Sequence, residues 1–256
     1  MKRPIAVQLW SVYALAEEDF PGVLRQISEI GYLAVETFGL HGLKPAVVRR
    51  MLDDLGLGLC SAHAPFPAGP EAERILDEQS ELGAPVLAWS LEPEEFATED
   101  SIARGVERVN IAAANARGRG MRIAYHNHSA EFTQLADGRR AYDVLLDQLD
   151  PGVLVELDMY WVQLAGVDPA AVVRDLGERV RFLHVKDGPA KSSEDAMVAV
   201  GQGSLDIPAV LAANPAVEWH IVELDRCDTD IMLALRDSYD YLIGNGLSTG
   251  TRAAPH

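Results

Sequence analysis

Two hydrophobic rhythms alternate along the chain. Short apolar runs rich in β-branched residues read as strands, and they begin at Ile5 (IAVQL), Leu33 (LAVET), Leu57 (LGLCSAH), Pro85 (PVLAW), Arg122 (RIAYHNH), Val153 (VLVELD), Arg181 (RFLHVKD) and Glu218 (EWHIVELD). Between them lie longer stretches of helical periodicity, such as FPGVLRQISEIG, PAVVRRMLDDLG and SIARGVERVNIAAANARG. Several end in a glycine suited to a left-handed helix C-cap. This order of consecutive strand–helix units around a parallel sheet predicts an α/β fold, a single (β/α)8 TIM barrel over residues 1–246. The first strand–helix turn lacks a GxGxxG, which argues against an open dinucleotide-binding sheet. Residues 247–256 are expected to form a disordered tail.

The bulk properties agree with one domain. A length of 256 residues is usual for such a barrel, no Pro/Gly/Ser-rich linker divides it, and 48% hydrophobic content supplies a core without cross-links. The formal charge of −17 is spread along the chain. Such a field repels phosphate backbones and anionic membranes, so neither nucleic acid nor membrane is an expected partner. Cys60 and Cys227 lie far apart with no CxxC pattern, as suits reduced thiols in the cytoplasm. The start, from Met1-Lys2-Arg3 to Ala16, imitates a secretory signal, but Pro4, Gln8, Ser11 and Tyr13 interrupt its apolar run. No segment approaches the roughly 20 apolar residues of a membrane span. A homo-oligomer is compatible with the sequence.

Polar residues at strand ends bear the chemistry, because a barrel of this kind projects its working groups from the C-terminal ends of several strands. Four strands end in groups able to bind metal: His126 or His128 in YHNHSAEF, Asp158 in ELDMYW, His184 in HVKDG and Glu223 in IVELD. Taken singly, each reads as a strand-end residue bonded to a neighbouring loop. Together they form a mixed nitrogen and oxygen shell suited to one divalent ion, whether Mn, Zn, Co, Fe or Mg. Alternation along the strand places His126 and His128 on one face and Asn127 on the other.

The segments QLWSV, IGYLAVET, YHNHSAEF, ELDMYWVQLAGVDP, FLHVKDG, VGQGSLDIPAV and WHIVELD follow, in order and spacing, a known pattern. Over nearly its whole length the chain resembles the sugar phosphate isomerase/epimerase family of the xylose-isomerase-like superfamily, in its HNH-containing branch. The resemblance implies a TIM barrel whose last four strands hold one divalent metal through a Glu, an Asp, a His and a second Glu. Asp158, His184 and Glu223 match the last three. His126 stands where many relatives have the first Glu, and Glu131, five residues on, is the alternative carboxylate. By position, His63, Glu36, Trp10 and Trp161 are candidate sugar contacts, and Glu223, Lys186, His128 and Glu131 candidate acid/base groups. Glu156, two before Asp158, reads as support for the metal shell, and Asp206 in VGQGSLDIPAV as a helix N-cap.

The expected activity is isomerisation or epimerisation of a carbohydrate, with proton transfer next to a metal-bound carbonyl. His126 in place of a glutamate weakens a two-base scheme. A lyase, dehydratase or hydrolase acting on a keto-sugar or 3-keto-glycoside is therefore the second enzyme reading, and a catalytically silent sugar-binding barrel the non-enzyme reading.

Overall fold

The computed structural model describes residues 2–251. The eight expected runs form β1 (Arg3–Gln8), β2 (Ala34–Phe38), β3 (Gly58–His63), β4 (Val86–Trp89), β5 (Arg122–His126), β6 (Leu154–Asp158), β7 (Val180–Val185) and β8 (Trp219–Val222). All pair in parallel in chain order, and β8 returns to β1, so the sheet closes into a barrel.

The crossovers carry α1 (Tyr13–Ile30), α2 (Pro45–Asp54), α3 (Ala72–Leu82), α4 (Glu99–Gly118), α5 (Ala141–Gln148), α6 (Met159–Leu164), α7 (Pro169–Leu176), α8 (Ile207–Ala212) and α9 (Ile231–Gly244). The sixth crossover holds two helices where one was expected. Gly166, at φ +77°, breaks the chain after α6. Asp168 then caps the amide of Ala170 and Pro169 opens α7, which is favourable chemistry for a new helix start. None of the described helices is long and apolar enough to cross a membrane.

Strand alternation sorts the residues into three environments. Outward positions such as Val7, Val35, Leu87, Ile123, Val155, Leu183 and Val222 pack with Leu24, Ile27, Leu52, Leu76 and Val109 of the helices in one buried cluster. Inward positions at mid-strand, among them Ala6, Ala34, Ala88, Ala124, Phe182 and Ile221, form a separate apolar plug inside the barrel. Two residues further along each strand the inward position becomes Gln8, Glu36, His126, His184 or Glu223. The barrel is thus sealed by small and apolar side chains directly beneath a layer of ionisable ones.

The tail departs from expectation. Ser248–Thr249 forms a short ninth strand, β9, in parallel with Arg3 and Pro4 of β1. Thr251 donates its amide to the carbonyl of Gly31 at 3.0 Å. The chain therefore stays in the fold past residue 246, because the edge of β1 offers unpaired backbone groups there. The rest of the expected tail, residues 252–256, lies outside the described residues.

His220 of β8 joins this end of the chain to the barrel, its Nδ1 lying 2.8 Å from Ser248 Oγ. Burial lowers its pKa to about 4, with Arg3 adding to the effect. Below the ordinary value of 6.5 the unfolded chain takes up a proton that the folded chain refuses. The stability His220 confers is therefore complete above about pH 6.5 and is lost as pH falls through 4. In chemical denaturation at pH 7 and pH 4.5, His220→Gln should remove up to roughly 3 kcal/mol of the wild-type pH dependence. An unchanged dependence would show that His220 is protonated as easily in the fold as outside it.

Candidate functional site

The ionisable layer at the C-terminal ends of the strands contains two sets of atoms able to hold a metal ion, each with its members within 4.8 Å of one another. The first is Asp158, His184 and Glu223. The second is His63, His126, Glu156 and His184. His184 belongs to both because its two ring nitrogens face opposite ways.

In the first set, His184 Nδ1 lies 2.6 Å from Glu223 Oε2 and 4.0 Å from Asp158 Oδ2. The Lys186 ammonium stands 2.8 Å from both carboxylate oxygens and donates its hydrogen bond to Asp225 at 2.6 Å. Asp158 Oδ2, His184 Nδ1 and Glu223 Oε2 are buried, and none is aligned in a hydrogen bond. Three convergent donors with free lone pairs fit a divalent cation. Burial works against the ionised Glu223, but Lys186 and His184 outweigh it and hold its pKa below the usual carboxylate range. The other oxygen of Asp158 is occupied: Oδ1 caps α6 by accepting the amides of Tyr160 at 2.9 Å and Trp161 at 3.2 Å. One carboxylate thus sets a helix start with one oxygen and faces Lys186 and His184 with the other.

The second set gathers on Glu156. Its Oε1 lies 2.7 Å from His63 Nε2 and 3.3 Å from both His126 Nδ1 and His184 Nε2. His126, expected with the first set, sits here because β5 and β6 are paired with His126 opposite Glu156, not opposite Asp158. Burial first, then His184 and His63, push the His126 pKa well below normal, so its ring is neutral. Burial, and then the charge of Glu36, raise Glu156 to about 7.

Glu36, a candidate sugar contact by position, is fully buried and is not among the residues lining the cavity. Gln8 Nε2 donates to its Oε1 at 2.6 Å, Ser61 Oγ donates to its Oε2, and His184 Nε2 meets Oε1 at 2.7 Å. Burial alone would raise its carboxyl, but His63 and His184 bring it down to about 2. An ionised carboxylate held in this way fixes the His184 ring and turns Nδ1 toward Asp158 and Glu223.

Above both sets opens a cavity of about 340 Å³, lined by Trp10, Phe38, His63, Trp89, His126, His128, Trp161, Lys186, Glu223 and Asp225, with Ser90. Of the residues expected at the site, Trp10, His63, Trp161, His128, Lys186 and Glu223 are thus brought to one cavity. Trp10 packs against Phe38 at 4.7 Å with its ring tilted by 59°, and Phe38 stacks on Trp89 at 6.1 Å, giving one aromatic wall. Trp161 faces Lys186, whose ammonium is 5.7 Å from the ring centroid. Phe38, Trp89 and Asp225 were missed in the sequence, though each is at or just past a strand end.

Glu131 is elsewhere. It accepts from Tyr125 OH at 3.0 Å, and Tyr125 is an outward residue of β5 packed in the outer apolar cluster, so this carboxylate belongs to neither set. Burial raises it to about 7. Asn127 is a clamp: its side chain accepts the Asp158 amide at 3.0 Å and donates to the Asp158 carbonyl at 3.3 Å, tying the ends of β5 and β6 together. Asp187 organises the glycine loop before α8, accepting amides from Gly188, Gly201, Gly203 and Leu205. Gly203 has no room for a side chain, since a Cβ there would meet Asp187 Oδ1 at 2.1 Å. Asp206 caps α8 as expected, accepting the amide of Ala209.

The family model for the xylose isomerase-like TIM barrel matches residues 24–213. No curated protein matches the sequence. Among solved structures the chain is similar to a sugar phosphate isomerase/epimerase from Parabacteroides distasonis, with 22% identity and a TM-score of 0.82 over 97% of this chain and 96% of that one. It is also similar to an L-ribulose 3-epimerase (16% identity, TM-score 0.70, 96% and 94% covered). A probable 3-DHS dehydratase from Bacillus anthracis shares the fold as well (12% identity, TM-score 0.73, 93% and 98% covered). At these identities the likeness is one of fold.

If Glu36 orients His184, then Glu36→Gln should weaken divalent-metal binding roughly 10–100-fold while the thermal transition remains cooperative. Isothermal titration of the metal-free variant measures this. Wild-type affinity would mean that His184 is held by its packing alone.

Proposed function

The chain belongs to the xylose isomerase-like TIM barrel family, and from that premise we propose that it is a metal-dependent carbohydrate isomerase or epimerase. The observation carrying this reading is the convergence of Asp158, His184 and Glu223, buried and with free lone pairs, on the floor of an aromatic-walled cavity. These three residues would hold one divalent ion. Bound there, the ion would supply Lewis-acid polarisation of a carbonyl and lower the barrier to removing the neighbouring proton.

The residues of the chain supply the rest. Glu223 reaches the cavity as an ionised carboxylate and accepts the proton from the carbon beside the carbonyl. Returned to the same carbon from the opposite face, that proton equivalent inverts the centre. Placed on the former carbonyl carbon, with one proton passing between the two oxygens, it shifts the carbonyl. Lys186, also at the cavity, donates hydrogen bonds to substrate oxygens, and His128 stands beside Trp161 as a neutral acceptor. Trp10, Phe38 and Trp89 offer flat faces for the apolar side of a sugar ring. Among the described residues Lys186 is the one lysine or arginine lining the cavity, and it is already balanced by Asp158, Glu223 and Asp225. This favours a neutral sugar over a phosphorylated one.

The second reading is a lyase or dehydratase, favoured by one specific feature. His126 faces the cavity where a two-base epimerase would need a carboxylate, leaving Glu223 without a matching base across the ring. In elimination the same proton is taken up by Glu223, while Lys186 protonates a departing oxygen.

Two results test the proposal. Asp158→Ala should fold yet lose the ion from the first set, as read by elemental analysis; full retention there would remove Asp158 from the shell. In heavy water, Glu223→Gln should abolish both turnover and deuterium incorporation next to the carbonyl of ketoses, keto-inositols and 3-keto-glycosides. Rapid exchange in that variant at full metal occupancy would transfer the base role to another group. Released water or a cleaved glycoside from the wild type, in place of an isomer, would decide for the lyase.

A further inference from the structure

We infer that the barrel binds a second divalent ion, of the zinc class, through His63 Nε2, His126 Nδ1 and Glu156, directly beside the site of Asp158, His184 and Glu223. Four strands deliver this second set: His63 ends β3, His126 ends β5, Glu156 lies on β6, and His184 on β7 turns its Nε2 toward it. The imidazole nitrogens converge on a single oxygen, Glu156 Oε1, at 2.7 Å from His63 and 3.3 Å from His126 and His184. Donors bound to one ion at about 2.0–2.2 Å lie a little over 3 Å apart, so the 3.3 Å spacings already fit and the His63–Glu156 hydrogen bond at 2.7 Å would open to admit the ion.

Unpartnered atoms supply an independent reason. His126 Nδ1 and Glu156 Oε2 are both buried without a hydrogen bond, on side chains 4% and 0% exposed. Such atoms are costly unless something else satisfies them. Among the described residues no lysine or arginine pairs with Glu156, which is met only by imidazoles, whereas Lys186 attends the first set. A cation held by His126 Nδ1 and Glu156 would satisfy both unpartnered atoms.

The ligand types indicate which cation. Two imidazoles and one carboxylate, with His63 and His126 lining the cavity, give three protein ligands and an open position toward the substrate space. This is the pattern of catalytic zinc sites. Imidazole nitrogen favours Zn, Co or Fe over Mg, while the first set is richer in oxygen. Because Glu36 engages His184 Nε2, that ring serves the first ion and flanks the second.

Metal stoichiometry tests the inference on the whole chain. Metal-depleted protein dialysed against Zn²⁺ should bind two equivalents, and against Mg²⁺ no more than one. His63→Ala and Glu156→Gln should each reduce zinc to one equivalent, Asp158→Ala should also leave one, and the His63→Ala/Asp158→Ala pair none. Should a variant fail to fold, titration of the wild type with Co²⁺ gives a second readout, the second equivalent adding its own visible absorption bands. One zinc equivalent in the wild type, two in His63→Ala, or a spectroscopically silent second equivalent of cobalt would overturn the inference. Loss of function in Asp158→Ala with zinc kept in the second set would leave it intact, so its failure is distinct from that of the isomerase reading.

Discussion

Charge brought out of water has to be matched where it is buried. Glu36, Glu156, Asp158, Glu223, His126, His184 and Lys186 are all buried in one layer, resting on an apolar plug that admits no countercharge from below. An ion left unpaired in such a place costs several kcal/mol, so each group's position depends on its neighbours. Glu36 is answered by His184 and His63, Asp158 and Glu223 by Lys186. Glu156 shares imidazoles already claimed by others. The layer as a whole has more carboxylates than fixed positive charges.

Much of this could be read from one dimension. The succession of apolar runs and amphipathic stretches specified the barrel, because every strand is buried on both faces and every crossover covers the outer one. The polar residues stood out at the ends of otherwise apolar strings: AVQ, AVET, YHNH, VELD, LHVK and IVEL. Which of them face one another was not legible. His126 joined Glu156 instead of Asp158 because of the register between β5 and β6, a quantity that strand content does not encode. Glu36 looked like a substrate contact until its depth and its bonds to Gln8, Ser61 and His184 were seen. Glu131 lay only five residues from His126, yet the turn after β5 carried it to the outer face behind Tyr125. The strand at Ser248–Thr249 is too short and too polar to announce itself, and exists because β1 has an edge to share.

Support and chemistry are divided within single side chains as well as between them. Asp158 gives one oxygen to the start of α6 and turns the other toward Lys186 and His184, so the position of its donor is tied to the seat of a helix and to Trp161 on that helix. Asn127, lodged between two histidines, works on backbone groups, those of Asp158 and the carbonyl of His128. Asp187, next to Lys186, spends its carboxylate on the loop before α8. Neighbours in sequence thus alternate between holding the scaffold and facing the substrate, as the pleat of the strand requires.

The pairing of β9 with the start of β1 also settles an orientation. Arg3 and Thr249 lie together at the N-terminal rim of the barrel, whereas the cavity opens at the opposite rim. A six-residue strand spans roughly 20 Å between the two. Tethered to a surface or carrier protein through either of these neighbouring segments, the barrel would stand with its mouth pointing outward, unobstructed by the anchor.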